Sequence, residues 1–144
     1  MILISLLRIF MVVKELSIIR SVSTSAADIV IYDNNIMHIH IKIRNSFTMK
    51  DSIIIVEART KLAQGNRYPV MYTAEYSFVT PSNEVTEFLS TAERRKLILA
   101  DAFVVKSFSQ RLAAKSYMLF KKPKTPTSIF ASEEKAMIWL EKFV

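Results

Sequence analysis

The chain has 144 residues, 51% hydrophobic and 23% charged, a balance that suits one folded domain and excludes a disordered one. With no cysteine, one glycine and two histidines, it excludes disulfides, thiolate metal sites, cysteine nucleophiles and glycine-rich phosphate or dinucleotide loops. The net charge of +7 is concentrated: residues 1–93 carry nine basic and nine acidic side chains, whereas residues 94–124 carry nine basic against Asp101 alone, so one stretch forms a positive patch.

Met1 to Val13 reads MILISLLRIFMVV, with Ser5 and Arg8 its only non-apolar residues. A bilayer-spanning helix needs about 20 apolar residues. A secretory signal needs a positive leading region and a cleavage site, and neither is present. No transmembrane segment is expected, and the expected compartment is the cytoplasm. The run reads as an extra element packed on the domain or on a second subunit. A true start at Met11, with residues 1–10 an upstream misreading, is the other reading. Ile2, Leu3, Ile4, Leu6, Leu7, Ile9 and Phe10 form an apolar patch that would recruit a partner, most simply a second copy, or fold back on the sheet.

Residues 27–43 carry the clearest strand signal. ADIVIY precedes Asp33-Asn34-Asn35, and in IMHIHIKI the residues Ile39, Ile41 and Ile43 alternate with His38, His40 and Lys42. Period two with an Asx-rich turn predicts a β-hairpin with one buried and one wet face. Thr48-Met-Lys-Asp51 has the spacing of a capping box. Ile53–Val56 would permit a strand, but the following EARTKLAQ favours helix. A helix is therefore predicted over 49–64, closed by Gly65, because a left-handed C′ position favours glycine. Tyr68–Thr73 reads as a buried strand in which Pro69 suits only the first positions.

Thr80-Pro81 has the form of an N-cap followed by proline at N1, and Val85, Phe88, Leu89 and Ala92 follow with helical spacing. Leu97–Val105 (LILADAFVV) is the near-continuous apolar run of a strand buried on both faces. Ser107 can cap a helix to about Lys121, with Phe108, Leu112 and Leu119 on one face and Arg111, Lys115 and Lys122 on another. Pro123 ends it. Thr127–Ala131 is a short strand. Ser132 caps a last helix with Glu133 and Glu134 in its first turn. Ala136, Trp139, Leu140 and Phe143 form its expected buried face. The expected fold class is α/β, a mixed sheet of about five strands with four helices in the order β-β-α-β-α-β-α-β-α. The expected division is an apolar extension over 1–19 and a single domain over 20–144.

Three stretches carry a family resemblance: the hairpin from Ala27 to Ile43, Gly65-Asn66-Arg67-Tyr68-Pro69-Val70, and KKPKTPTSIFASEEKAMIWLEKF from Lys121. Over about residues 20–144 the chain resembles the STAS (sulfate transporter and anti-sigma factor antagonist) fold, in particular small bacterial STAS-like domains of unassigned function. STAS relatives include antagonists that bind a kinase-like anti-sigma factor and are switched by phosphorylation in an Asp-Ser-Ser/Thr-Gly turn. The corresponding segment here, Phe78 to Asn83, lacks that Asp and Gly and places Pro81 near the phosphorylated position. Thr80 and Ser82 are the nearby hydroxyls, read as helix caps or as a phosphorylation or partner contact, two roles that are compatible. The group's fold also resembles CRAL-TRIO lipid carriers, which implies an apolar-ligand alternative.

His38 and His40 share one side of a strand and could supply two legs of a metal site, but no third ligand is apparent, and a solvated strand face is the plainer reading. A serine hydrolase would need a glycine-permitted elbow that the sequence lacks. Arg94, Arg95, Lys96, Arg111, Lys115 and Lys122, with Lys121 and Lys124, form a candidate patch for an anion or an acidic partner, against the reading of an ordinary solvated face. No nucleic-acid motif accompanies it. Tyr68, Tyr72 and Tyr76 are either pocket-lining or core and rim residues. The expectation is a non-enzymatic protein-interaction or regulatory domain, without cofactor or metal, with an unidentified protein partner and self-association. The alternatives are a carrier of a small apolar or lipid ligand, or a ligand-free oligomeric structural domain.

Overall fold

The computed structural model describes residues 16–76, 81–91 and 95–144, excluding the side chains of residues 117, 120 and 121. The expected packing of the apolar run Met1–Val13 lies outside the described residues. The strands are β1 (Ile18–Ser23), β2 (Ala27–Tyr32), β3 (Met37–Ile41), β4 (Tyr68–Ala74), β5 (Ile98–Val104) and β6 (Thr127–Phe130). The helices are α1 (Met49–Ala63), α2 (Asn83–Ser90), α3 (Phe108–Lys121) and α4 (Glu133–Leu140), with a final 3-10 turn over Glu141–Phe143. The sheet has the strand order β1-β2-β3-β4-β5-β6. β1, β2 and β3 pair antiparallel, and β3 to β6 pair parallel.

The sheet has six strands where about five were expected. The added strand, β1, begins at Ile18, two residues before the expected start of the domain. Its pattern IIRSVS is exposed or half-exposed throughout, so it lacks the buried alternation that marks a strand in sequence. The β1–β2 turn is closed by Thr24, whose Oγ1 accepts from the backbone N–H of Ala26 (3.2 Å) and of Ala27 (3.0 Å), with no glycine or asparagine to announce it. The β2–β3 turn follows the Asx expectation. Asn35 has φ 64°, and Asn34 Oδ1 accepts from the Ile36 N–H at 3.2 Å.

Local chemistry also sets the helix ends. Thr48 and Asp51 form the expected capping box at the start of α1. Its buried residues Ser52, Ile55, Val56, Arg59 and Ala63 recur at helical spacing. The helix stops at Ala63, and both Gln64 (φ 51°) and Gly65 (φ 81°) are left-handed, so the exit uses one residue more than glycine alone. Helix α2 starts later than expected: Ser82, not Thr80, is its N-cap, accepting from the Val85 N–H at 3.3 Å, and Thr80 lies outside the described residues. Ser107 and Ser132 cap α3 and α4 as expected.

Three parallel crossovers running the same way along the sheet place α1, α2 and α3 on one face, because such connections are right-handed. There Ile29, Ile31, Met37, Ile39, Val70 and Ile98 pack with Ile55 and Ala63. On the other face, α4 lies across β4, β5 and β6. Ala136, Met137 and Leu140 pack there on Ile36, Met71, Ala100 and Ala102.

Trp139 is half-buried rather than buried, its ring 5.6 Å from Phe130 and 4.8 Å from Phe143. It sits about 80° round the helix from the centre of the Ala136–Leu140 face, so it seals the rim of the core. Leu140→Ala should therefore lower the unfolding free energy by about 2–5 kcal/mol, and Trp139→Ala by less than the about 3–5 kcal/mol of a fully buried tryptophan. Chemical denaturation of both variants measures this.

Candidate functional site

The face of β2, β3 and β4 turned away from α1 carries a chain of polar side chains. Strand alternation sets His38 and His40 on that side, opposite Ile39. The parallel register brings His40 level with Thr73 of β4. The Thr73 hydroxyl lies 2.7 Å from His38 Nε2 and 2.8 Å from His40 Nδ1. The Tyr32 hydroxyl lies 2.9 Å from His38 Nδ1. Glu133, in the first turn of α4, places Oε1 4.0 Å from His38 Nε2.

Thr73 has one hydroxyl hydrogen, so it donates to at most one imidazole and accepts from the other or from both. In one relay His40 donates to Thr73, Thr73 to His38 and His38 to Tyr32, and in another every donor is reversed. Both relays satisfy the neutral groups. The strand face expected to be wet is therefore half-buried and internally bonded. The two histidines share one hydroxyl rather than standing free. Among the described residues no group of three His, Asp or Glu side chains converges as a metal site.

Burial holds the His38 imidazole below its ordinary pKa; the Glu133 carboxylate opposes this shift and His40 adds to it. An unfolded His38 takes up a proton near pH 6.5, the folded one only at lower pH. The neutral form's contribution to stability is present above the unfolded value and is lost as pH falls through it. The melting temperature should fall between pH 7 and pH 5, and His38→Gln should flatten that slope. An unchanged slope would assign the acid sensitivity to other groups.

A second polar cluster lies on the opposite face. Asp101, the lone acidic residue in the apolar run of β5, is buried, and its Oδ2 accepts from Arg95 Nη2. The Tyr72 ring stacks on Phe103, with centroids 4.7 Å apart and an interplanar angle of 11°. Burial, and then the charge of Asp101, push the Tyr72 phenol well above its ordinary pKa. The buried Arg59 was not singled out in the sequence, and Asp101 and Tyr72, both noted there, were not expected to meet; the signal was an aspartate inside a strand otherwise apolar. Arg95→Met leaves Asp101 buried without this partner and should cost about 3–5 kcal/mol in denaturation.

The basic residues are differently engaged. Arg95 is neutralised by Asp101. Arg111 donates to the carbonyls of Val105 (3.0 Å) and Lys106 (2.6 Å) and so ties the β5–α3 connection. Lys96 borders a small pocket with Arg59, Ala63, Val70 and Ile98. Lys115 and Lys122 are exposed on α3 and its cap. Arg94 lies outside the described residues. Ser82 is engaged as the α2 cap.

The tyrosines likewise separate. Tyr68 is core, and its hydroxyl accepts from Arg20 Nη2 at 2.7 Å. Tyr72 lies on Phe103, and the exposed Tyr76 accepts from Arg44 Nη2 at 2.7 Å. Helix α3 holds a further departure. Phe108, Leu112 and Leu119, grouped on one face by their spacing, are 69%, 52% and 79% exposed.

The fold has a solved counterpart. A crystal structure of a DUF3478-family protein with a SpoIIAA-like fold, from Shewanella loihica PV-4, matches with a TM-score of 0.50 at 10% identity, covering 87% of this chain and 93% of that one. The architecture is thus STAS-like, as the three sequence stretches implied. The chain belongs to the domain family of unknown function DUF7793, whose model matches residues 29–144. No curated protein matches the chain. Among the described residues no helix is long and apolar enough to cross a membrane.

Proposed function

We propose that the chain is a non-enzymatic protein-interaction domain that associates with a second copy through the open edge of its sheet. The observation that carries this reading is β1. It is an edge strand in the described structure, with Ile18 58% and Ile19 51% exposed. An edge strand offers unpaired backbone groups to another strand. Apolar side chains on such an edge add burial to the backbone pairing. A two-fold β1–β1 pairing would join two sheets into one, the commonest kind of closed assembly. A regulatory role would follow if a protein partner competes for the same edge.

The chemistry-bearing side chains support a binding rather than a catalytic role. His38, His40 and Thr73 bond one another, and Asp101 is held by Arg95. A lipid carrier would need a cavity of about 300–1,000 Å³. The best-formed pocket among the described residues, beside Arg59 and Ala63, has a volume of about 30 Å³, room for a water or two.

Light scattering over a concentration series tests the reading. The full chain should be dimeric, and the double variant Ile18→Glu with Ile19→Glu should be monomeric with an unchanged circular dichroism spectrum. A full chain that stays monomeric throughout, or a double variant that stays dimeric, overturns it.

A further inference from the structure

Helix α3 presents a surface that the edge-strand reading does not use. At about 100° per residue, Leu112 and Leu119 lie within about 40° of Phe108 on one side, while Lys115 and Arg111 lie within about 60° on the other. The apolar strip spans about 16 Å along the axis. All three of its side chains are more than half exposed. The strip therefore has a cationic border along one flank. Lys106 before the helix and Lys122 and Lys124 after it add positive charge at its two ends, and all three are exposed. No acidic residue lies between Lys106 and Lys124.

We propose that this face of α3 docks on an anionic lipid surface, lying in the plane of the headgroups. Charge complementarity selects the occupant. An antiparallel second copy would bring the same cationic border against its own, so that two-fold pairing through α3 sets like charges together. A helical peptide partner needs a groove to enter. This face is a single convex helix, and no α3 residue lines either of the two best-formed pockets. An anionic bilayer supplies both chemistries on a surface that conforms to a convex helix. Its phosphates meet Lys115 and Lys122, and its acyl boundary accepts Phe108, Leu112 and Leu119. A Lys-bordered helix with an apolar strip of Phe and Leu is the pattern of interfacial binding. The long lysine stems let the ammonium groups remain at headgroup level while the leucines enter below.

Co-sedimentation of the full chain with vesicles tests the proposal. Vesicles of phosphatidylcholine with phosphatidylglycerol should bind it, vesicles of phosphatidylcholine alone should bind it weakly, and added salt should weaken binding. Leu112→Ser with Leu119→Ser removes the apolar strip without changing charge. Lys115→Gln with Lys122→Gln removes charge without touching the strip. Each pair should lower binding by at least about tenfold while leaving the melting temperature unchanged, because all four side chains are exposed. The Ile18→Glu, Ile19→Glu variant should bind vesicles on the same face, which separates this proposal from the edge-strand reading. Equal binding to neutral vesicles, no binding, or anionic binding that survives both α3 pairs overturns the proposal. Binding to soluble poly-glutamate that is lost with the lysines and kept without the leucines would mark a site for acidic polypeptide and overturn it as well.

Discussion

The contact between α4 and the centre of the sheet is the one on which the rest of the arrangement depends. Sequential strand order with right-handed crossovers sends α1, α2 and α3 to one face and, among the described residues, leaves the other without a helix until α4. One helix, α4, must then close that second face. It does so with Ala136, Met137 and Leu140 over Ala100 and Ala102, where small residues on both sides let helix and sheet approach closely. Phe130, Trp139 and Phe143 seal the margin of this contact.

A single helix of eight residues cannot cover six strands. Over β2 and β3 the second face is therefore polar and self-satisfied. Asp28 pairs with Lys42 at 2.9 Å and accepts from Ser23 at 2.6 Å. Beside them, Thr73 joins the two histidines, and the first turn of α4 brings Glu133 to the border of that network. The polar cluster is the sheet's answer to the short reach of α4, and this makes a structural role for the histidines sufficient. On the opposite face, Asp101 and Arg95 fix the entry of the chain into β5 in a similar way, with one charge buried and one at the rim.

The two surfaces offered for interaction arise from the same shortage of cover. β1 lies farthest from α4 and has no strand beyond it in the described structure. Helix α3 crosses to β6, the other edge, and in the described structure no helix lies outside it to receive Phe108, Leu112 and Leu119. One surface is an open backbone edge and suits a strand. The other is a convex apolar strip with a cationic border and suits a charged, conforming surface.

Much of this is legible in the amino-acid order because it is local. The Thr48–Asp51 box, the Ser107 and Ser132 caps, the Asx turn at Asn34–Asn35 and the alternation of β3 depend on residues a few positions apart. The class of sheet follows from the alternation of strands and helices, and the likeness to the STAS fold rests on contiguous stretches. Strand β1 escaped because an exposed edge has no buried period. Trp139 was misplaced because a buried arc as wide as its spacing suggested is not realised: it lies to the side of the face that Ala136 and Leu140 bury, against Phe130 and Phe143. Spacing alone put Phe108, Leu112 and Leu119 on one face of a helix, but did not show that this face is exposed among the described residues. It also made Arg95 and Lys115 look alike, although one is held by a buried aspartate six residues along the chain and the other is exposed at the surface. Periodicity decides which side chains travel together. Only the folded chain decides whether anything is there to meet them, because burial depends on the second surface as much as on the first.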